Sequence, residues 1–89
     1  MANIKIPTPL RAYTSGQSVI AVSGGTVAEV LEDLTAQYPD LRPHIYDGDQ
    51  LRSFVNVFIG EENARDQHGM ATPVAEDAQL RIIPSIAGG

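Results

Sequence analysis

The feature that most constrains this 89-residue chain is a single strong helical pattern set among strand-like ones. Ser23-Gly24-Gly25 breaks the chain, and Thr26-Val27-Ala28-Glu29 then has the Thr-x-x-Glu form of a capping box, whose side chains satisfy backbone donors at a helix start. Val27, Val30, Leu31, Leu34 and Tyr38 recur at helical spacing and make one apolar stripe. Glu29, Glu32, Asp33 and Gln37 take the other side, and the first three lie toward the helix N-terminus, where the dipole favours carboxylates. Pro39 cannot continue the helix. The spacing predicts a helix from Val27 to Tyr38. Its stripe must be buried, and the surface that can receive it is a sheet.

The rest of the chain supplies that sheet. Asn3 to Pro7 alternates with period two, and Pro7 and Pro9 end the run. Leu10 to Tyr13 leads into the turn cluster Thr14-Ser15-Gly16, and Gln17 to Val22 alternates again, which suggests a loose hairpin. Residues 39–53 are turn-rich and read as a loop, with a short helical turn around Leu41 to Tyr46. Phe54 to Ile59 is apolar on both faces apart from Asn56 and reads as an interior strand. Gly60 to Asn63 is a turn. Residues 64–78 are polar and broken by Gly69 and Pro73, with a short element near Met70 to Val74. Glu76-Asp77-Ala78 turns into a last strand, Gln79 to Pro84.

The order is ββαβ, an irregular stretch, then β. The two terminal strands can pair in parallel at the sheet centre once the helix crosses over. The expected fold is therefore α+β, of the β-grasp kind: a mixed sheet of four to five strands with one main helix, residues 1–89 forming one domain. A chain of this size buries roughly 60–65% of the surface it exposes unfolded, enough for one modest core.

Composition excludes whole classes of chemistry. With no cysteine there is no disulfide, thiolate-ligated metal or thiol nucleophile. The two histidines, His44 and His68, lie in polar loops far apart and cannot build a three-histidine zinc site, so no metal is expected. Six Lys+Arg against eleven Asp+Glu give a net charge of −5, which disfavours nucleic acid and anionic membranes and favours a partner with a basic face. No leader-like start and no apolar run long enough to span a bilayer is seen, so a cytoplasmic protein is expected. Thr14-Ser15-Gly16 and Ser23-Gly24-Gly25 lack the lysine of a phosphate-binding loop, and Asp47-Gly48-Asp49 lacks the downstream glutamate of a calcium loop; all three read as turns.

What remains is the end of the chain. Leu80-Arg81-Ile82-Ile83-Pro84 passes straight into Ser85-Ile86-Ala87-Gly88-Gly89 with no linker. Glycine has no Cβ, so a Gly-Gly carboxylate on such a tail can enter a narrow channel in another enzyme.

These motifs resemble a known family. Phe54-Val55-Asn56-Val57, the Glu76-Asp77-Ala78 turn and Ile82 to Gly89 are similar to the ubiquitin-like sulfur carriers, the group of the molybdopterin synthase small subunit, the thiamine-pathway carrier and the cysteine-forming carrier. The resemblance covers essentially the whole chain. The length and the Arg52-Ser53-Phe54-Val55-Asn56 run lie nearest the cysteine-forming carrier. Ala78 stands where relatives usually carry glycine.

The resemblance implies a protein that is acted upon rather than an enzyme. The Gly89 carboxylate would be adenylated by an E1-like enzyme and converted to a thiocarboxylate, with Ile86, Ala87 and Gly88 entering partner active sites alongside it. No cofactor would be bound; ATP would be consumed by the activating partner. The sulfur acceptor would be a cysteine synthase-like enzyme, with a metallopeptidase releasing the product. A molybdopterin synthase large subunit, a thiosugar synthase, or use as a ubiquitin-like modifier are the alternatives. Arg11 stands where relatives carry a basic residue that meets the activating enzyme. If Leu80 and Ile82 face the helix, Arg81 and Ile83 face outward as partner contacts. Phe54 and Phe58 would join them if Val55 and Val57 also face the helix, but either parity of that strand is open.

Overall fold

The capping box forms, displaced by one residue. In the computed structural model, which describes residues 1–84, α1 (Val27–Gln37) starts at Thr26, whose hydroxyl accepts the Glu29 N–H at 3.3 Å. The Glu29 carboxylate reaches back past Thr26 and accepts the Gly25 N–H at 2.9 Å. This close return requires Gly24: its φ is +144°, and a Cβ there would lie 2.8 Å from both the Glu29 Cβ and the Val30 nitrogen. The helix ends where the Tyr38 N–H caps the Leu34 carbonyl at 3.0 Å, just before Pro39.

The described residues form seven strands: β1 (Ala2–Lys5), β2 (Val19–Val22), β3 (Tyr46–Asp47), β4 (Gln50–Leu51), β5 (Val55–Ile59), β6 (Glu62–Asn63) and β7 (Gln79–Pro84). Five make one sheet in the order β2-β1-β7-β5-β6, with β1 and β7 parallel at its centre and the other pairs antiparallel. This is the β-grasp arrangement expected, with α1 crossing one face. Ile4, Ile20, Val22, Val55, Val57, Leu80 and Ile82 point inward and join Val27, Val30, Leu31 and Leu34 in the core, each 5% exposed or less. Burial of a side chain of this size is worth about 1.5–3 kcal/mol relative to leaving it in water.

Several connections carry more structure than their sequence suggests. The β1–β2 link is a 3-10 helix, Thr8–Thr14, closed by Ser15 at φ 54°, ψ 33°. Its buried Thr14 hydroxyl lies 2.9 Å from the Gln17 carbonyl. After α1, a 3-10 turn at Pro39–Leu41 runs into α2 (Arg42–Ile45), near the helical turn expected there. Arg42 ties α2 down: its guanidinium bonds Glu32 at 3.2 Å and the Thr35 hydroxyl at 3.3 Å, and lies 4.5 Å from the Tyr46 ring centre. Burial raises the Tyr46 hydroxyl above its ordinary pKa, the Glu32 carboxylate adds to this, and Arg42 opposes it.

Strands β3 and β4 form a hairpin turning at Gly48 (φ +64°) and Asp49, where a plain loop is expected; two-residue strands leave no periodicity to detect. Likewise β6 occupies part of an expected turn, and 3-10 turns at Ala64–Asp66 and Gly69–Ala71 organise the polar stretch that follows. Ala78 has no positive φ, so the turn before β7 makes no demand for glycine.

Three stability measurements follow. Gly24→Ala should cost about 2 kcal/mol or more in denaturant unfolding, because both backbone conformation and space oppose a side chain. Gly16→Ala, at φ +78° with nothing within 4 Å of an added Cβ, should cost only about 1 kcal/mol. Thr26→Ala should lower stability by about 1 kcal/mol through loss of the cap.

Candidate functional site: the open sheet face

One face of the sheet packs on α1, and among the described residues no helix covers the other. On β7, Leu80 and Ile82 are buried, so Arg81 and Ile83 point outward, as their alternation predicts. On β5, Val55 and Val57 are each 1% exposed, which settles the parity: Asn56 and Phe58 face outward.

Registers across the sheet then align side chains into rows. Val19 pairs with Lys5, Lys5 with Arg81, Arg81 with Phe58 and Phe58 with Asn63, one continuous row over five strands. Neighbours in such a row stand about 4.5–5.5 Å apart at Cβ, close enough to act as one surface. The Arg81 guanidinium lies 5.4 Å from the Phe58 ring centre and donates to the Gly60 carbonyl at 3.1 Å. Asn56 and Ile83 form the next row toward the end of β7.

Phe54 is placed differently from the expectation that it shares a strand with Phe58. It precedes β5, inside a turn closed by the Val55 N–H on the Arg52 carbonyl at 3.0 Å. Since Val55 pairs with Pro84, this turn sits beside the last described residue of β7, where the tail begins. Apart from Met1, the large apolar side chains most exposed among the described residues are Val19, Phe54 and Ile83, at 50%, 39% and 37%. Val19 and Ile83 lie on the open face, and Phe54 at its tail end. Scattered exposed apolar residues need no explanation, but a gathering of them on one face marks an interaction surface.

The electrostatics are sided as well. The outward positions of β1, β2, β5 and β7 include Lys5 and Arg81 and no carboxylate, although the chain as a whole carries −5. Glu29, Glu32 and Asp33 belong to α1, across the sheet, where Asp33 accepts the Ser23 N–H at 2.9 Å. The open face is thus apolar and basic, suited to an apolar and acidic partner. For this face it is the opposite of the expectation from net charge, which pointed to a partner with a basic face: the global sum averages over two unlike faces.

Of the residues singled out from sequence, Phe58, Arg81 and Ile83 come together. Arg11 stands on the β1–β2 connection, where its Nε donates to the Ile6 carbonyl at 3.0 Å. Ile86, Ala87, Gly88 and Gly89 lie outside the described residues. Val19 and Lys5 were missed; alternation within Gln17–Val22 and Asn3–Pro7 held the signal, but their outward parity follows only from the pairing. Asn56, expected to be satisfied by backbone, donates to the Ile83 carbonyl at 3.3 Å and accepts from Asn63 at 3.2 Å. His44 stacks on Tyr13, ring centres 4.0 Å apart. Among the described residues no helix is long and apolar enough to cross a membrane.

Comparison with known proteins agrees with this geometry. The sequence matches the ThiS family over residues 4–89. It is 36% identical to the sulfur carrier protein CysO of Mycobacterium tuberculosis, over 97% of this chain and 96% of that protein. The structure superposes on the Amycolatopsis orientalis BexX/CysO complex with a TM-score of 0.92 and 29% identity, covering all of both chains. The small archaeal modifier protein 1 of Methanosarcina acetivorans matches with a TM-score of 0.87 and 29% identity, over 99% of this chain and 95% of that one. Sequence and fold, matched along nearly their whole length, establish that this chain belongs to the ThiS family.

Proposed function

We propose that this chain is a sulfur carrier protein, a co-substrate of other enzymes, and that the sulfur it carries serves cysteine formation. The observation that carries the reading is the likeness to CysO over 97% of the chain, joined to a Gly88-Gly89 pair that three residues separate from Pro84 in the sequence.

The chemistry follows from what a carboxylate lacks. Its oxygen is a poor leaving group, so sulfide cannot displace it. Attack of the Gly89 carboxylate on the α-phosphorus of ATP, in an E1-like enzyme, releases pyrophosphate and leaves an acyl-adenylate. Sulfide then displaces AMP to give the thiocarboxylate directly; an enzyme persulfide instead displaces AMP to give an acyl disulfide, from which a second thiol of that enzyme releases the thiocarboxylate as it closes an enzyme disulfide. That sulfur is nucleophilic and can be passed to an acceptor without release of free sulfide. Beyond that carboxylate the carrier needs no base, side-chain nucleophile or metal for these steps, and with no cysteine in the chain, no internal thiol competes for the activated terminus. The activating enzyme supplies the ATP site; the carrier supplies a thin tail and a surface to dock by. Val19, Phe54, Phe58 and Ile83, flanked by Lys5 and Arg81, form that surface, with Arg11 as a further contact.

A cysteine synthase-like enzyme is the acceptor in this scheme, and a metallopeptidase frees the new cysteine. The cytoplasm is the compartment. The occurrence of a CysO protein in complex with BexX supports a carrier that is read by a protein partner. Likeness to a small archaeal modifier protein favours one second reading, attachment of Gly89 to lysines of other proteins. The two differ in product: a sulfur carrier yields no covalent high-mass adducts in cell extracts.

Incubation with an E1-like adenylating enzyme, ATP and a sulfur source should raise the intact mass by the difference between one sulfur and one oxygen. Deleting Gly89, or adding one residue after it, should abolish the shift without changing the melting temperature; persistence of the shift in either variant would refute Gly89 as the sulfur site. Phe58→Ala and Ile83→Asp should each raise the KM of adenylation about ten-fold or more, equivalent to ~1.4 kcal/mol of docking energy, with kcat little changed.

A further inference from the structure

The turn that presents Phe54 is tied at Arg52 to the Pro43 and Ile45 carbonyls, at 2.9 and 2.8 Å, and is gripped on its other side by the Arg65 side chain. Arg65 lies on the 3-10 turn Ala64–Asp66, ten residues beyond β5's first residue. Its Nη2 gathers the carbonyls of Arg52 at 3.0 Å, Ser53 at 3.4 Å and Val55 at 2.8 Å. Those are the carbonyls on either side of Phe54. Strand β6 pairs only with Phe58 and Ile59, so Val55 is not covered by it; the guanidinium takes up the Val55 carbonyl instead. A charged donor to neutral carbonyls makes stronger bonds than a neutral one, and the planar guanidinium loses little freedom in making them.

Arg65 is itself oriented. Its N–H donates to the Asn63 side-chain oxygen at 3.0 Å, the cap of that 3-10 turn. The Asn63 amide then donates to Asn56 at 3.2 Å, and the Asn56 amide to the Ile83 carbonyl at 3.3 Å. A hydrogen-bonded path therefore runs from the Phe54 turn through the Arg65 side chain and its backbone N–H, then the Asn63 and Asn56 side chains, to the end of β7. Its two ends are the apolar anchor and the root of the tail.

We infer that Arg65 is a positioning residue, which through Asn63 and Asn56 holds Phe54 in fixed register with the root of the C-terminal tail, so that a partner docking on Phe54 receives the tail at a set distance. This inference rests on the sulfur carrier reading above. Arg65 touches neither ATP nor the reacting carboxylate. Its effect is on the orientation of Phe54, and so on association rather than on the chemical step.

Adenylation of the full-length carrier by an E1-like enzyme, followed by ATP–pyrophosphate exchange, separates the possibilities. Arg65→Met should raise the KM for the carrier about ten-fold and leave kcat unchanged. Arg65→Lys, which keeps a charged donor, should recover most of that loss. Phe54→Ala should raise KM comparably, and the double variant should be no worse than Phe54→Ala alone, since Arg65 acts through Phe54. On the free carrier, amide exchange of residues 53–55 should accelerate at least ten-fold in Arg65→Met while α1 and β1 stay protected; this readout needs no partner and shows that the variant is folded. An unchanged KM, an additive double variant, or unchanged exchange at 53–55 would overturn the inference. Failure of the wild-type chain to be adenylated would instead overturn the carrier reading, and the docking role of Phe54 with it.

Discussion

The parallel pairing of β1 with β7 joins the first and last strands of the described residues, and the make-up of the open sheet face depends on it. Asn3 meets Gln79, Ile4 meets Leu80 and Lys5 meets Arg81. A parallel pair cannot be closed by a tight turn, so the intervening chain must cross over, and α1 is the part of that crossover which covers the sheet. The pairing also sets phase. With Ile4 and Leu80 both inward, Lys5 and Arg81 are both outward, and each adjoining strand inherits its parity from this centre. A slip of one residue would send Leu80 and Ile82 into water and bury Arg81. The core therefore guards the register of the open face without touching it.

From that division comes a molecule with two unlike sides. The helix side holds Glu29, Glu32 and Asp33, with Arg42 compensating part of the charge near α2. The Arg42–Glu32 pair is solvent-exposed and worth little by itself; its guanidinium matters more by stacking on Tyr46. The sheet side holds Lys5 and Arg81 among apolar groups. A net charge of −5 thus describes neither side. In the carrier reading proposed above, this division would separate two tasks: the open face would be bound by a partner, and Gly89 would react.

The sequence was most informative where a repeat spacing met a clear stop. Thr26, Glu29 and Pro39 bracket α1, and the alternation in Gln79–Pro84 gives β7 with its outward residues correctly phased. It was less informative about β5, because Val55, Val57, Phe58 and Ile59 are all apolar and either face could have been the inner one. Phe54 continues that apolar run in sequence yet belongs to a turn, since the Arg52 carbonyl closes on the Val55 N–H and Arg65 holds the loop from a distance. The β3–β4 hairpin and the Thr8–Thr14 helix were missed because elements this short have no period.

What the sequence determined alone is local or covalent: the helix and its caps, the strand character of the runs that become β1 and β7, and the absence of cysteine chemistry. These follow from spacing and residue type, which are visible along a line. Only the tertiary structure decided which apolar residues are left outside, and that Val19, Lys5, Arg81 and Phe58, drawn from four strands, stand in one row. It alone decided that Arg65 reaches back to the Phe54 turn. The reason is physical: the parity of a strand and the reach of a side chain are fixed by pairing and burial, and both depend on residues far away in the chain.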